Sequence, residues 1–236
     1  MTALRKGLAL FILWADLPAD TRHAFEAWAA AERIPDPDPA SGVRSVARYT
    51  AVSGAPTFIE VHELSSEAPA VLWQSGRLLE PALAALERAG AIGRGGGGGV
   101  AGVEPRPGLH FAACAYVQIF PPALDERNAV HGPPPVLQIG RIGIPPEHED
   151  EFNEWYNTEY LVGYLGVPGV YSARRYLSRG DGLRYLTVYE LAHDQVSRQP
   201  EWDRVRARSI WRRRIERLWT HAPGSPGIYR RLAASY

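Results

Sequence analysis

Short apolar stretches alternate with longer amphipathic ones along the first half of the chain. The short stretches run apolar or alternate apolar with polar residues, which is typical of β-strands. In the longer stretches apolar residues recur three and four positions apart, as Phe25 and Trp28 do, which predicts helices. The predicted elements are a strand at about 8–15, a helix at about 20–33, strands at about 43–50 and 57–64, a helix at about 68–90 and a strand after Gly108.

The second half of the chain repeats this order. Its predicted elements are a strand at about 136–143, a helix at about 146–160, strands at about 170–177 and 184–191, a helix at about 197–219 and a strand after Gly227. Three pairs of segments align without a gap at a constant offset of 127 residues, which indicates an internal duplication. The aligned pairs are "LPADTRHAFEAW" (17–28) with "IPPEHEDEFNEW" (144–155), "GVRSVARY" (42–49) with "GVYSARRY" (169–176), and "IEVHEL" (59–64) with "LTVYEL" (186–191).

Each half therefore has the order βαββαβ, which is that of a ferredoxin-like unit. We predict an α+β fold in which two tandem ferredoxin-like repeats pack sheet to sheet as one α+β barrel. The first repeat is predicted at 1–120, with a glycine-rich loop at 93–102. A proline-rich linker at 121–135 separates it from the second repeat at 136–236.

Composition and charge narrow the classes of function. The 236 residues include 26 acidic and 26 basic ones, so no net charge favours nucleic acid or an anionic membrane. Cys114 is the only cysteine, which excludes an internal disulfide and a cysteine cluster for metal; no metal site is expected. The apolar stretch at 8–15 is too short to span a bilayer. We expect a cytoplasmic monomer or homodimer whose partner is a small-molecule substrate, without nucleic-acid or membrane partners.

Alternation along the third strand of each half predicts which side chains face a pocket. Ile59 and Val61, matched by Leu186 and Val188, form an apolar set that is expected under the helices. The opposite face is then expected to line a half-wet cavity between two sheets. It carries aromatic, polar and titratable residues, namely Phe58, Glu60, His62, Tyr185, Thr187 and Tyr189.

The segment "EFNEWYNTEYLVGYLGVPGVYSARRY" (151–176) resembles the signature of the dimeric α+β-barrel superfamily, specifically its EthD-like members. In that signature a helix ending Trp-Tyr-x-x-Glu-His precedes Val-Pro-Gly and an arginine-rich strand. The resemblance covers about 145–191 and extends to the first repeat only in outline. It implies two paired ferredoxin-like units, as two subunits or one fused chain. The histidine of the signature is Tyr160 here, so chemistry that depends on this histidine is not implied.

The superfamily that the chain resembles contains several kinds of enzyme. They include polyketide cyclases, muconolactone-type isomerases, cofactor-free quinone-forming monooxygenases, aldoxime dehydratases and haem enzymes. The resemblance therefore implies a fold rather than one reaction.

Candidate site residues follow from the strand pattern and the resemblance. Glu60 and His62 lie two residues apart, so their side chains point the same way at roughly 6–7 Å and form a candidate general base pair. Tyrosine hydroxyl groups stabilise a developing oxyanion by donating hydrogen bonds, and an arginine binds a carboxylate or polarises a carbonyl group. The predicted catalytic residues are Glu60, His62, Tyr160 and Tyr189, and the predicted substrate-binding residues are Trp14, Phe58, Arg175, Tyr185 and Thr187.

These residues predict acid–base chemistry without an organic cofactor: cyclisation, dehydration or isomerisation of an aromatic, polyketide-like or enolisable substrate. One alternative is an oxidative enzyme, either cofactor-free with dioxygen or haem-dependent through His62 or His193. Another alternative is a non-catalytic binder of a hydrophobic metabolite. Because titratable residues occur in one third strand and hydroxyl groups in the other, we expect one composite pocket with one ligand per chain.

Overall fold

The computed structural model describes residues 4–31, 34, 39–67, 110–180, 182–209 and 211–232. The helix predicted at 68–90 and the glycine-rich loop predicted at 93–102 lie outside the described residues.

Within these residues, eight strands close into an antiparallel barrel. The strands are β1 (Ala9–Asp16), β2 (Val43–Ser53), β3 (Phe58–Leu64), β4 (His110–Phe120), β5 (Val136–Gly143), β6 (Val170–Ser178), β7 (Tyr185–Leu191), the short β8 (Thr220–His221) beside β5, and β9 (Gly227–Arg231). Around the ring the order is β7-β6-β4-β1-β3-β2-β9-β5, and pairing of β5 with β7 closes it. Strands of the two halves pair at β4–β6 and β2–β9, so the two sheets join edge to edge.

Among the described residues the helices are few and lie outside the barrel. They are α1 (Ala19–Ala31), α2 (Glu126–Ala129), α3 (Glu149–Trp155), α4 (Leu161–Leu165), α5 (Pro200–Arg208) and α6 (Arg212–Ile215), with a π turn at Tyr156–Tyr160 and 3₁₀ turns at Pro39–Ser41, Pro146–His148 and Val196–Arg198. Helix α1 packs on the first half, and the π turn joins α3 to α4 in the second half.

The prediction of a single helix at 197–219 is wrong, because α5 ends at Arg208 and a separate helix, α6, begins at Arg212. Ser209 has an extended backbone (ψ 114°), and its hydroxyl oxygen accepts a hydrogen bond from the Trp155 indole N–H at 2.8 Å. The same oxygen accepts the backbone N–H of Arg212 at 3.2 Å, at the start of α6. A buried indole N–H needs a hydrogen-bond acceptor, and Ser209, between α5 and α6, supplies this acceptor to Trp155 of α3.

The barrel interior is filled by side chains from both halves. Ile59, Val61, Leu186 and Val188 point inward, so the prediction that they lie under the helices is wrong. An eight-stranded barrel has an interior just wide enough for such side chains to fill it. A cavity of about 20 Å³ is found there, enough for one water molecule. The predicted composite pocket between two sheets is therefore wrong as well.

The outer face of each half of the barrel carries aromatic side chains that lie under helices. In the first half Phe58 packs edge-on against Phe25 of α1, with ring centroids 4.7 Å apart. In the second half Tyr185 packs against Phe152 of α3 at 5.2 Å. Both faces of the sheet are thus buried, and large aromatic side chains occur on both, since Trp14, Tyr49 and Tyr176 lie in the interior.

Four charged side chains are buried at one end of the barrel interior. Arg174 contacts the carboxylates of Glu63 and Glu190, the latter at 3.1 Å, and Lys6 contacts Glu190. The pKa of the Glu190 carboxyl group is lowered, because Arg174 and Lys6 outweigh the effect of burial. Two cations and two carboxylates balance each other here, so the cluster ties β3, β6 and β7 to the N-terminal segment.

No helix among the described residues is long and apolar enough to cross a lipid bilayer.

Candidate functional site

A cleft with a volume of about 190 Å³ lies outside the barrel, between the outer face of the second half and its helices. Its floor comes from β5 and β7, one wall from the helical segment at 156–164, and the other wall from α5 and the segment around β8. Aromatic side chains dominate its lining, with a histidine and an arginine among them. The lining residues are Gln138, Gly140, Ile142, Tyr156, Tyr160, Tyr164, Tyr189, Trp202, Arg206, Trp219, His221 and Pro226.

Three tyrosines spaced four residues apart build the helical wall. Tyr156 and Tyr160 belong to the π turn, and Tyr164 follows in α4. Neighbouring rings contact each other, with centroids 4.8 Å apart for Tyr156 and Tyr160 and 4.9 Å for Tyr160 and Tyr164. Single π turns inside α-helices occur frequently at functional sites. Here the π turn and the spacing give three phenol groups that face one cleft.

Gly140 leaves the floor of the cleft open. It pairs with Thr187 across the sheet, and its backbone is not in the left-handed region. A Cβ atom built on Gly140 would come within 4 Å of only one atom, the Ile142 Cδ1 at 3.9 Å. The absent side chain is therefore part of the volume that a ligand would occupy.

The tyrosine hydroxyl groups of the cleft stay protonated at neutral pH. Burial raises the pKa of Tyr164 to about 12 and raises the pKa values of Tyr156, Tyr160 and Tyr189. The Tyr156 hydroxyl lies beside Thr187 and Tyr189, yet within the described residues neither of these two hydroxyl groups makes a hydrogen bond of ordinary geometry. A buried hydroxyl group without such a bond is costly. Of the two residues, Tyr189 lines the cleft, so its hydroxyl group is available as a donor to a ligand.

His221 lies at the mouth of the cleft, on β8. Its ring is edge-on to Trp219, with centroids 5.3 Å apart. Partial burial lowers the pKa of its imidazole, and Arg206 lowers it further against the opposite effect of Glu216. The imidazole is therefore neutral at pH 7, which is the form that accepts a proton.

Arg175 lies directly behind this cleft and is completely buried. Its guanidinium donates hydrogen bonds to Asn157 Oδ1 at 2.6 Å and Asn153 Oδ1 at 2.9 Å. The guanidinium carbon lies 4.4 Å from the centroid of the Tyr156 ring and 5.1 Å from that of Tyr185. Burial lowers its pKa to about 10, so it remains a cation at neutral pH.

Glu60 and His62 contact each other, as predicted, but they lie on the outer face of the first half of the barrel. His62 Nε2 lies 2.8 Å from Glu60 Oε1, and Arg48 Nε donates to Glu60 Oε2 at 2.8 Å. Burial would raise the pKa of Glu60, but His62 and Arg48 outweigh it and lower this pKa to about 2. The pair lies beneath α1, since Arg48 also donates to the Ala29 carbonyl. Its catalytic role stays a prediction.

The predicted orientation of several other residues is wrong. Phe58, Glu60 and His62 face α1 rather than a space between sheets. Trp14 points into the barrel, where the Arg141 guanidinium lies 5.1 Å from its ring.

In the second half, the predicted site residues gather at the cleft. Tyr160 and Tyr189 line it, whereas Thr187, Tyr185 and Arg175 form the buried layer behind it. Tyr185 accepts a hydrogen bond from Asn153 at 3.0 Å. Their roles in binding or catalysis stay predictions, now tied to a different pocket from the one that the sequence indicated.

Sequence reasoning missed Tyr156, Tyr164, Trp202, Trp219 and His221. The spacing of tyrosines in "YNTEYLVGY" was a usable signal, because residues four apart share a helix face. No such signal marks His221, since a two-residue strand has no periodicity.

Another cavity, of about 380 Å³, is a surface groove beside the 131–135 segment. Its polar residues include Lys6 and Glu190, which already neutralise each other. Within the described residues, no group of three or more His, Cys, Asp or Glu side chains is arranged to hold a metal ion. The tyrosine cleft is thus the better candidate for chemistry.

The chain matches no protein-family model and no curated protein sequence. Among solved structures it is similar to a monooxygenase-like protein from Lactobacillus acidophilus, with a TM-score of 0.54 and 10% identity over 96% of this chain and 95% of that one. A monooxygenase-like protein from Fusobacterium nucleatum gives 0.52 and 6% over 96% and 93%. A chlorite dismutase-like protein gives 0.52 and 13% over 94% and 93%.

At such identities the likeness concerns the fold alone. The closed antiparallel barrel is consistent with the superfamily that the 151–176 segment resembles, and the likeness extends over nearly the whole chain. The chain thus has a mixed α+β fold with a closed eight-stranded antiparallel barrel.

Proposed function

We propose that the chain is an oxidative enzyme that binds a small phenolic or enolic molecule in the tyrosine cleft and oxidises it with dioxygen. The observation that carries this proposal is the cleft itself, in which protonated tyrosine hydroxyl groups and a neutral imidazole surround room for one ligand. Such a pocket, mostly apolar with a few convergent polar groups, is typical of small-molecule sites.

The volume of the cleft limits the ligand to about one substituted ring. An apolar cavity of about 150 Å³ holds benzene. The 190 Å³ of the cleft therefore accommodates a single aromatic ring with small substituents. The aromatic rings of Tyr156, Tyr160 and Trp219, which contact each other in tilted and edge-on arrangements, favour an aromatic ligand over a saturated one.

The groups around the cleft suit oxidation of an acidic ligand. His221 removes a proton from the ligand hydroxyl or an activated CH group, and the hydroxyl groups of Tyr156 and Tyr189 donate hydrogen bonds to the resulting oxyanion. The electron-rich anion then reduces dioxygen. Conversion of an activated CH₂ group to a carbonyl group consumes one dioxygen molecule and releases one water molecule, so the reaction balances without a further reductant.

Oxidation fits the comparisons better than the cyclisation, dehydration or isomerisation that the sequence led us to expect. The three structures described above are of monooxygenase-like and chlorite dismutase-like proteins. Their likeness to this chain concerns the fold, and their functions serve here only as support for the choice among the alternatives.

A haem does not fit the described cleft. A cavity of about 150 Å³ holds one benzene ring. A porphyrin is a macrocycle of four five-membered rings, so it is much larger than benzene and too large for the cleft. The predicted haem ligands are also elsewhere: His62 contacts Glu60 beneath α1, and His193 is exposed after β7. The proposed reaction therefore runs without haem, and the absorption spectrum of the purified protein tests this, since a Soret band would contradict it.

Labelled dioxygen tests the proposed reaction. Phenols and activated ketones of one ring are incubated with the protein under ¹⁸O₂, and products are analysed by mass spectrometry. We expect a product that carries one ¹⁸O atom, and a rate at least about 100-fold lower for His221→Gln. His193→Gln is the matched control, because this exposed histidine lies outside the cleft. A product isomeric with its substrate, or bound ligand without any product, would contradict the proposal.

We also infer that the two halves arose by duplication and that each is a ferredoxin-like unit of the EthD-like type. The strand order supports this, since β4-β1-β3-β2 in the first half corresponds to β9-β5-β7-β6 in the second. Arg48 and Arg175, which are 127 residues apart, both lie on the outer face of the barrel beneath a helix. The domain limits at 1–120, 121–135 and 136–236 remain predictions.

A further inference from the structure

Arg175 is a buried cation that no carboxylate contacts among the described residues. Its two hydrogen bonds go to the neutral amide oxygens of Asn153 and Asn157, and its Nε atom makes none. The remaining surface of the guanidinium lies against aromatic rings, those of Phe152, Tyr156 and Tyr185, at 4.9, 4.4 and 5.1 Å. A buried charge of this kind is costly unless a negative charge compensates for it.

The equivalent arginine of the first half has such compensation. Arg48 Nε donates to Glu60 at 2.8 Å, and the residue at the matching place in the second half is Thr187, which carries no charge. The two halves thus differ in charge balance. A carboxylate neutralises the arginine beneath the helix in the first half, and none does so in the second half among the described residues.

The positive charge of Arg175 reaches the cleft through Tyr156. Tyr156 lines the cleft and contacts the guanidinium with its ring, and its hydroxyl group lies beside Thr187 and Tyr189. A cation below the ring and hydroxyl donors at its edge together favour negative charge in the cleft. The interior has a low dielectric constant, so this attraction is screened less than at the surface.

We propose that Arg175 is a positioning residue that makes the cleft select the ionised form of its ligand, a phenolate or enolate. This inference rests on the proposed function, because it specifies the charge state of the ligand bound in the same cleft. The ligand supplies the negative charge that is missing beside Arg175, and it does so through hydrogen bonds from Tyr156 and Tyr189 rather than by direct contact with the guanidinium.

Other charged or titratable groups also face the cleft. Arg206 lines its mouth but is exposed and lies 3.8 Å from Glu216, so solvent and this carboxylate screen it. His221 is neutral because its pKa is lowered, and the tyrosine hydroxyl groups are protonated because their pKa values are raised. Arg212 also acts on Tyr164, but it is paired with Glu216 at 2.6 Å. Arg175 is therefore the buried cation beside the cleft that no carboxylate contacts among the described residues.

The test uses 4-nitrophenol, whose phenol and phenolate forms have different absorption spectra, and 4-nitroanisole, a neutral analogue that cannot ionise. Titration of bound 4-nitrophenol with pH should give an apparent pKa at least about one unit below that of the free compound, a tenfold preference for the phenolate. In Arg175→Gln this shift should disappear while 4-nitroanisole binding persists. Arg175→Lys, which keeps the charge, should restore part of the shift.

Arg48→Gln is the matched control, because it removes the corresponding arginine of the first half and should leave the shift unchanged. The wild-type measurement is decisive even if Arg175→Gln does not fold. An unchanged or raised pKa of bound 4-nitrophenol would overturn the inference and leave an aromatic-binding cleft in place. Failure of both compounds to bind would overturn the proposed function and the inference with it.

Discussion

The guanidinium carbon of Arg175 lies 4.4 Å from the centroid of the Tyr156 ring, so a single aromatic ring separates a buried cation from the tyrosine cleft. The helix holds this pair through Asn153 and Asn157, which accept the hydrogen bonds of the guanidinium. The sheet supports it from below through Tyr185. The second half of the barrel thus presents a preorganised positive environment behind an aromatic wall.

Filling the floor of the cleft should abolish ligand binding without unfolding the protein. Gly140→Leu places a side chain in the open volume, and the backbone there accepts any residue, because it is not in the left-handed region. We expect 4-nitroanisole affinity to fall at least about tenfold, measured by calorimetry, with little change in melting temperature. Gly132→Leu is the control, since it projects into the separate 380 Å³ groove. Equal affinities for both variants would contradict the placement of the site.

The rate of oxidation should depend on pH through His221. Because burial lowers its pKa below the ordinary value of 6.5, the imidazole stays neutral down to that lower pKa. We expect kcat to be constant from about pH 7 to 8 and to fall only below about pH 6.5, as the base becomes protonated. The fall should be absent from the residual activity of His221→Gln. A profile that falls above pH 7 in the wild type would contradict the assignment of the base.

The free energy of unfolding should depend on pH through the carboxyl group of Glu60. Its pKa falls from 4.5 in the unfolded chain to about 2 in the fold, so the carboxylate stabilises the fold above about pH 4.5 and loses this effect as the pH falls toward 2. The contribution is up to about 3 kcal/mol. Urea unfolding between pH 5 and 3 should show a steeper loss in the wild type than in Glu60→Gln. Parallel profiles for the two proteins would show that Glu60 is not the group that titrates.

The strand order could be predicted from the sequence, but the direction of the side chains could not. The 127-residue offset between the two halves is visible in the sequence, and most of the predicted strand limits agree with the structure within two residues. Alternation on β3 separates Ile59 from Phe58, but it does not say which face lies inside when helices and barrel bury both. Side-chain size does not distinguish the two faces either, since Trp14 and Tyr49 lie inside the barrel while Phe58 lies under α1.

The position of the cleft could not be predicted for a related reason. Its walls combine residues that are far apart in sequence, such as Tyr160 and His221, and His221 is placed by a two-residue strand. The interruption between α5 and α6 also involves a tertiary contact, the hydrogen bond that the Trp155 indole N–H donates to the Ser209 hydroxyl. Periodicity reports local structure and contains no information on such contacts.

The buried charges at the end of the barrel should act as one unit. Arg174→Met removes the cation that contacts Glu63 and Glu190 and should lower the free energy of unfolding by about 3–5 kcal/mol, because a carboxylate is left buried and unpaired. The double variant Arg174→Met with Glu63→Met should be more stable than the single one. Denaturant unfolding measures both, and additive losses would show that the two charges are independent.

The central claim is that a small phenol or enol is oxidised in the tyrosine cleft, and dioxygen uptake by the wild type and Gly140→Leu tests it most directly. An oxygen electrode follows the two proteins with the same one-ring substrate, and Gly132→Leu serves as the folded control. The account predicts uptake in the wild type and in Gly132→Leu and at least about tenfold slower uptake in Gly140→Leu. Equal uptake by all three proteins, or none by any of them, would contradict it.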